Sequence, residues 1–165
     1  MPEFVLPEFT RSLRSLAVPS APGSDHDAVF APLIQARTLA HKALSFEAQL
    51  AAFDAARLER GWRAAITSFA KARHRSSAPD RRALEAELDL LAAPLWERLA
   101  AMRVAAERGR LARRDERRAE FDRWVESVRE VFRAADDWWS DALPILADSR
   151  GRSGARWRRV FGGSR

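Results

Sequence analysis

From Leu39 onward the apolar residues Ala43, Phe46, Leu50, Phe53, Trp62, Ile66 and Phe69 mostly recur at three- and four-residue steps. That spacing traces one face of a helix. Ser24-Asp25-His26-Asp27 places a capping hydroxyl and acids where they meet the positive end of a helix dipole, so a long helix is expected to start there or at Pro32. Gly61 costs about 1 kcal/mol relative to alanine but does not compel a break. Lys71, Arg73, His74 and Arg75 put cations at the negative end.

Ser76-Ser77-Ala78-Pro79-Asp80 carries the strongest boundary signal, with serine as cap, proline in the first turn and aspartate behind it. A second stripe follows through Leu84, Leu88, Leu91, Leu95, Leu99 and Met102, then resumes as Val125, Val128, Phe132, Ala135 and Trp139. Pro94 predicts a kink. Residues 107–120 keep few apolar positions and are expected to continue as a solvent-wrapped helix laced by three-apart pairs such as Glu107 with Arg110. A short element near residues 140–148, interrupted by Pro144, leads to the C-terminus.

The predicted fold is all-α. The tight turn near residues 76–79 makes two long helices antiparallel neighbours, giving a coiled-coil-like hairpin or small bundle over residues 24–149. Residues 1–23, with Pro2, Pro7, Pro19 and Pro22, read as an arm with one short helix whose Phe9, Leu13 and Leu16 share a face. Residues 150–165 form a basic tail. A two-helix hairpin covers one side of each stripe only, so the arm, a bent-back C-terminal portion or a second chain is expected on the other side.

Composition narrows the chemistry. The chain is 165 residues long with no cysteine, which excludes disulfides, thiolate zinc sites and cysteine nucleophiles. No apolar run approaches the roughly 20 residues of a membrane span, and the first eight residues, with two glutamates and two prolines, do not resemble a secretory signal. A cytoplasmic location is expected. The net charge of +6 looks like a nucleic-acid signature until it is divided: residues 24–75 are modestly basic, residues 76–149 modestly acidic, and residues 150–165 carry six arginines and no acid.

Catalytic and cofactor signatures fail one by one. His26, His41 and His74 have neither Glu-x-x-His nor His-Glu-x-x-His spacing, so no metal site and no cofactor is expected. The seven glycines make no phosphate loop, and Gly151-Arg152-Ser153-Gly154 lacks the mixed αβ setting in which a GXXG loop works. Asp136, Asp137 and Asp141 read as a solvated helix end, with an acid–base or cation site as the alternative. The expectation is a protein that is not an enzyme.

Two groups of residues remain as candidate binding sites. Trp138 and Trp139 are adjacent, so on a helix they point about 100° apart and one stripe is not expected to bury both fully; one of them is offered as an anchor for a protein partner or a second copy of the chain. In the tail, Arg150, Arg152, Arg156, Arg158 and Arg159 interleave with Trp157 and Phe161, a composition that neutralises phosphates and stacks on bases. The principal expectation is therefore a non-enzymatic helical interaction or assembly subunit. The alternatives are nucleic-acid binding through the tail and, behind it, attachment to an anionic membrane surface.

Overall fold

A computed structural model describes residues 25–42 and 45–149. The described residues form six helices: α1 (Asp25–Lys42), α2 (Phe46–Ala52), α3 (Ala55–Arg73), α4 (Ala78–Leu91), α5 (Ala93–Leu111) and α6 (Arg117–Ser149). The all-α expectation stands, with no strand among these residues. Each of the two expected long helices is divided.

The first expected helix is interrupted twice. Ser45 caps α2 by accepting from the Ala48 N–H at 3.2 Å, and α2 ends where the Phe53 N–H donates to the Gln49 carbonyl. Asp54 then caps α3, its carboxylate accepting from the Ala56 and Arg57 N–H groups at 3.0 and 3.4 Å. The Arg57 guanidinium turns back to donate to the Ala52 carbonyl, so both sides of the joint are satisfied. The α3–α4 boundary falls where Ser77, Pro79 and Asp80 predicted it, with Ser77 accepting from the Asp80 N–H and Arg81 donating to the His74 and Arg75 carbonyls.

The kink expected at Pro94 is the α4–α5 joint. Ala92 stays in right-handed helical space and its N–H is shared between the Leu88 and Asp89 carbonyls, so the helical phase carries through while the axis bends. Residues 107–120 depart from the expected continuous helix. α5 ends at Leu111 and the chain reverses through residues 112–116, where the Arg117 and Glu116 N–H groups donate to the Arg113 carbonyl. An apolar face is what holds a helix to a body, and the stretch that lacks one is where the chain turns. α6 runs 33 residues, Pro144 included, without the expected interruption.

Contacts along α6 set the directions. Phe46 packs edge-on against Phe121 and Trp124, Phe53 against Trp124 and Phe132, Trp62 against Trp138, and Arg73 donates to the Leu146 carbonyl. Positions thus rise together, and α2–α3 runs parallel to α6. α4–α5 runs the opposite way, with Trp138 donating to the Leu88 carbonyl at one end and Glu47 of α2 pairing with Arg117 just past the other. α1 packs on α3 and α2 in turn, Phe30 lying 5.3 Å from Trp62 and 6.2 Å from Trp139. The result is four rods in up-and-down order, α1, α2–α3, α4–α5 and α6, around an aromatic column.

Two glycines set the closeness of this packing. A Cβ on Gly109 would lie 2.7 Å from the Phe46 ring, and one on Gly61 would lie 3.0 Å from Pro32. Gly61 therefore lets α3 approach α1, and Gly109 lets α5 close over the α2 end of the aromatic column.

Candidate functional site

The tryptophan pair singled out by sequence is consumed by the core. Trp138 is 2% exposed, packs edge-on against Trp62 and donates its indole N–H to the Leu88 carbonyl at 3.0 Å; Trp139 is 5% exposed and stands against Phe30. The two rings lie 6.2 Å apart, tilted 39° to one another. Burial of both follows because α6 has neighbours on two sides, α3 and α4 for Trp138 and α1 for Trp139, where the one-stripe argument allowed for a single covered side. Trp139 is covered by the chain itself, and Trp138 meets the surface only where it lines the groove between α4–α5 and α6.

The other sequence-picked binding residues, Arg150, Arg152, Arg156, Trp157, Arg158, Arg159 and Phe161, lie outside the described residues, as does the arm over residues 1–23. The stretch Arg108 to Arg118, a possible extension of a basic stripe, is divided by the α5–α6 reversal. Arg110 there pairs with Glu107, Arg117 with Glu47 and Arg118 with Asp122.

The acidic group near residue 136 splits. Asp136 is buried at 8% exposure, and its Oδ1 has no hydrogen-bond partner. Burial pushes its pKa up from the ordinary 3.8 to about 6, with the neighbouring Asp137 charge adding to the rise. Asp137 and Asp141, one turn apart, instead line a groove at the surface. A single buried carboxyl without a paired base, nucleophile or cation does not make an acid–base site, and no cluster of three metal-ligating side chains occurs among the described residues.

That groove follows from the Pro94 joint. α5 lies along α6, whereas α4 bends away above Ala92 and leaves a cleft of about 460 Å³ between the rods. Leu91, Pro94, Ala134 and Trp138 supply its apolar part. Arg98 and Arg133 stand toward one end, tied to Glu130, while Asp137 and Asp141 stand toward the other with no ion-pair partner among the described residues.

Two further features lie on α4–α5. Trp96, only partly buried, carries the Arg63 guanidinium over its ring at 4.3 Å, and Asp89 accepts from both Arg63 (2.6 Å) and the Trp96 indole (3.2 Å). This clasp ties α3, α4 and α5 together at the surface. On the outer face, away from the core stripe of Leu84, Leu88, Leu95, Leu99 and Met102, the large side chains Leu90, Val104 and Leu111 are 76%, 53% and 76% exposed.

Sequence reasoning passed over this outer face. Its signal was legible in the spacing, since 90, 97, 104 and 111 fall at seven-residue intervals, but the stronger inner stripe on the same helix masked it. Comparison with family models, with curated proteins and with solved structures returns no match.

Proposed function

We propose that this chain is a non-enzymatic helical interaction or assembly subunit, acting in the cytoplasm and needing no cofactor. The exposed apolar line of Leu90, Val104 and Leu111 carries the reading. Fully exposing side chains of that size forgoes about 1.5–3 kcal/mol each relative to burying them, and three on one helix face suit a surface that is covered when the protein works. The groove at the Pro94 joint, apolar inside and charged at both ends, adds a second place suited to a protein segment.

The alternative, phosphate binding by the tail, rests on the six arginines of residues 150–165 with Trp157 and Phe161. Light scattering after size exclusion separates the two, run on the full chain and on a 1–149 truncation, each with and without a short nucleic acid at low and moderate salt. The interaction reading expects both forms to ignore nucleic acid. A complex with nucleic acid that forms only when residues 150–165 are present, and weakens steeply with salt, would replace it with a tail-driven phosphate binder.

A further inference from the structure

The outer face of α4–α5 is a seam in its own right. Ala86, Leu90, Ala93, Glu97, Ala100, Val104, Glu107 and Leu111 follow one another at alternating steps of four and three, and all eight are exposed. Alternation of four and three is the spacing by which one helix packs along another. The helical phase continues through Ala92, so the two halves of the seam share one side of the rod. The seam runs 26 residues, about 39 Å at 1.5 Å per residue. Alternate alanines leave room for a close-lying helix between the larger Leu90, Val104 and Leu111.

Charge along the seam selects the occupant. Glu107 is paired within its own helix to Arg110, at 3.2 Å. Glu97, in the seam, and Arg108, beside it, are exposed and have no ion-pair partner among the described residues. A second α4–α5 rod laid parallel would set Glu97 against its own equivalent, with like charges meeting along an apolar contact. Laid antiparallel about Ala100 and Ala101, it sets Leu90 against Leu111 of the second copy and small alanines at the dyad. In that register Arg108 of the second copy lies about 6 Å along the axis from Glu97, within an arginine's reach, and twofold symmetry repeats the pairing.

We propose that two copies of this chain associate antiparallel through the outer seam of α4–α5, with Leu90 packed on Leu111 and Glu97 paired to Arg108 across the dyad. The proposal rests on the interaction reading above and names its partner as a second copy. A contact one helix wide belongs to the weak, reversible class of interfaces, so the dimer is expected to form only at high protein concentration.

Sedimentation equilibrium tests it on the full chain, with the substitutions Glu97→Arg and Arg108→Glu singly, combined in one chain, and as an equimolar mixture of the two single variants. All the altered positions are exposed, and circular dichroism checks that each variant keeps its helix content. Each single variant places like charges at both symmetric contacts and should weaken dimerisation about tenfold or more. The combined variant and the mixture restore opposite charges and should recover to within about threefold of the unaltered chain.

A chain that stays monomeric to about 1 mM overturns the proposal, as does a dimer whose affinity ignores these charges or is not recovered by combining them. In those cases the interaction reading itself survives if the light-scattering experiment shows indifference to nucleic acid. It falls separately if the tail binds nucleic acid there.

Discussion

Asp136 offers a sharp test of the described core. Its carboxyl is buried on α6 with one oxygen unpartnered, and its pKa is pushed up to about 6 from an ordinary 3.8. A carboxyl that holds its proton more tightly in the folded chain than in the unfolded one makes the fold take up protons between those values. Stability from this group is therefore greatest below about pH 4, falls as pH rises through the interval to about 6, and is flat above it. Two pH units at about 1.4 kcal/mol each give an upper figure near 3 kcal/mol, and access of water near the helix edge brings it to on the order of 2. Asp136→Asn keeps the shape and removes the charge. At pH 7.5 the variant should be more stable than the unaltered chain by about 2 kcal/mol, or roughly 4–8 °C in Tm, and at pH 4 the two should nearly coincide. Urea unfolding of both proteins from pH 4 to 8 reads the difference curve, in which the other carboxylates largely cancel. A variant less stable at pH 7.5, or a gap independent of pH, would refute the placement of this carboxyl in the core.

Gly109→Ala drives a Cβ to 2.7 Å from the Phe46 ring and should cost about 1–3 kcal/mol in thermal unfolding, whereas at Gly61, where Pro32 is met at 3.0 Å, the helix-propensity gain of alanine offsets part of the strain and a smaller loss is expected. Asp54→Ala removes the acceptor of two N–H groups at the α2–α3 joint and should cost about 1 kcal/mol, with no effect if the first helix ran unbroken through residue 54. Trp138→Phe loses the bond to the Leu88 carbonyl, while Trp124→Phe removes a buried indole N–H that has no partner, so in urea titrations the former should be the costlier by about 1–2 kcal/mol.

The parts of the fold legible in the sequence are those where a periodic apolar face coincides with strong terminal chemistry. Ser77 with Pro79 and Asp80 marked the α3–α4 turn, and Pro94 marked the α4–α5 joint, because each alters backbone hydrogen bonding locally whatever packs nearby. The α2–α3 joint was overlooked although Asp54 is a good cap and the nine-residue step from Phe53 to Trp62 is about half a turn out of helical phase, because the three- and four-residue steps on either side of it read as one stripe. The reversal at residues 112–116 was hidden for a different reason. Arginine and glutamate suit a solvated helix as well as a loop, and only tertiary contacts such as Glu47 with Arg117 decide between them.

The same distinction governs where a partner can be met. A tryptophan's size says that it is buried against something without saying whether that something is its own chain, and in a bundle of four rods each helix has neighbours on more than one side. Trp138 and Trp139 on α6 therefore spend their area on Trp62, Leu88 and Phe30. A rod such as α4–α5 keeps one face outside, and the large apolar side chains Leu90, Val104 and Leu111 set there lie outside the core formed by the described residues. On the proposed reading, the modest side chains of the outer rod, Leu90, Val104 and Leu111 among alanines, mark the assembly surface better than the largest aromatic pair does. On that proposal the unpartnered Glu97 and Arg108 beside them give the surface a direction, because two equivalent rods laid in parallel without a shift set like charge on like, whereas a twofold, reversed pair brings each charge near its complement.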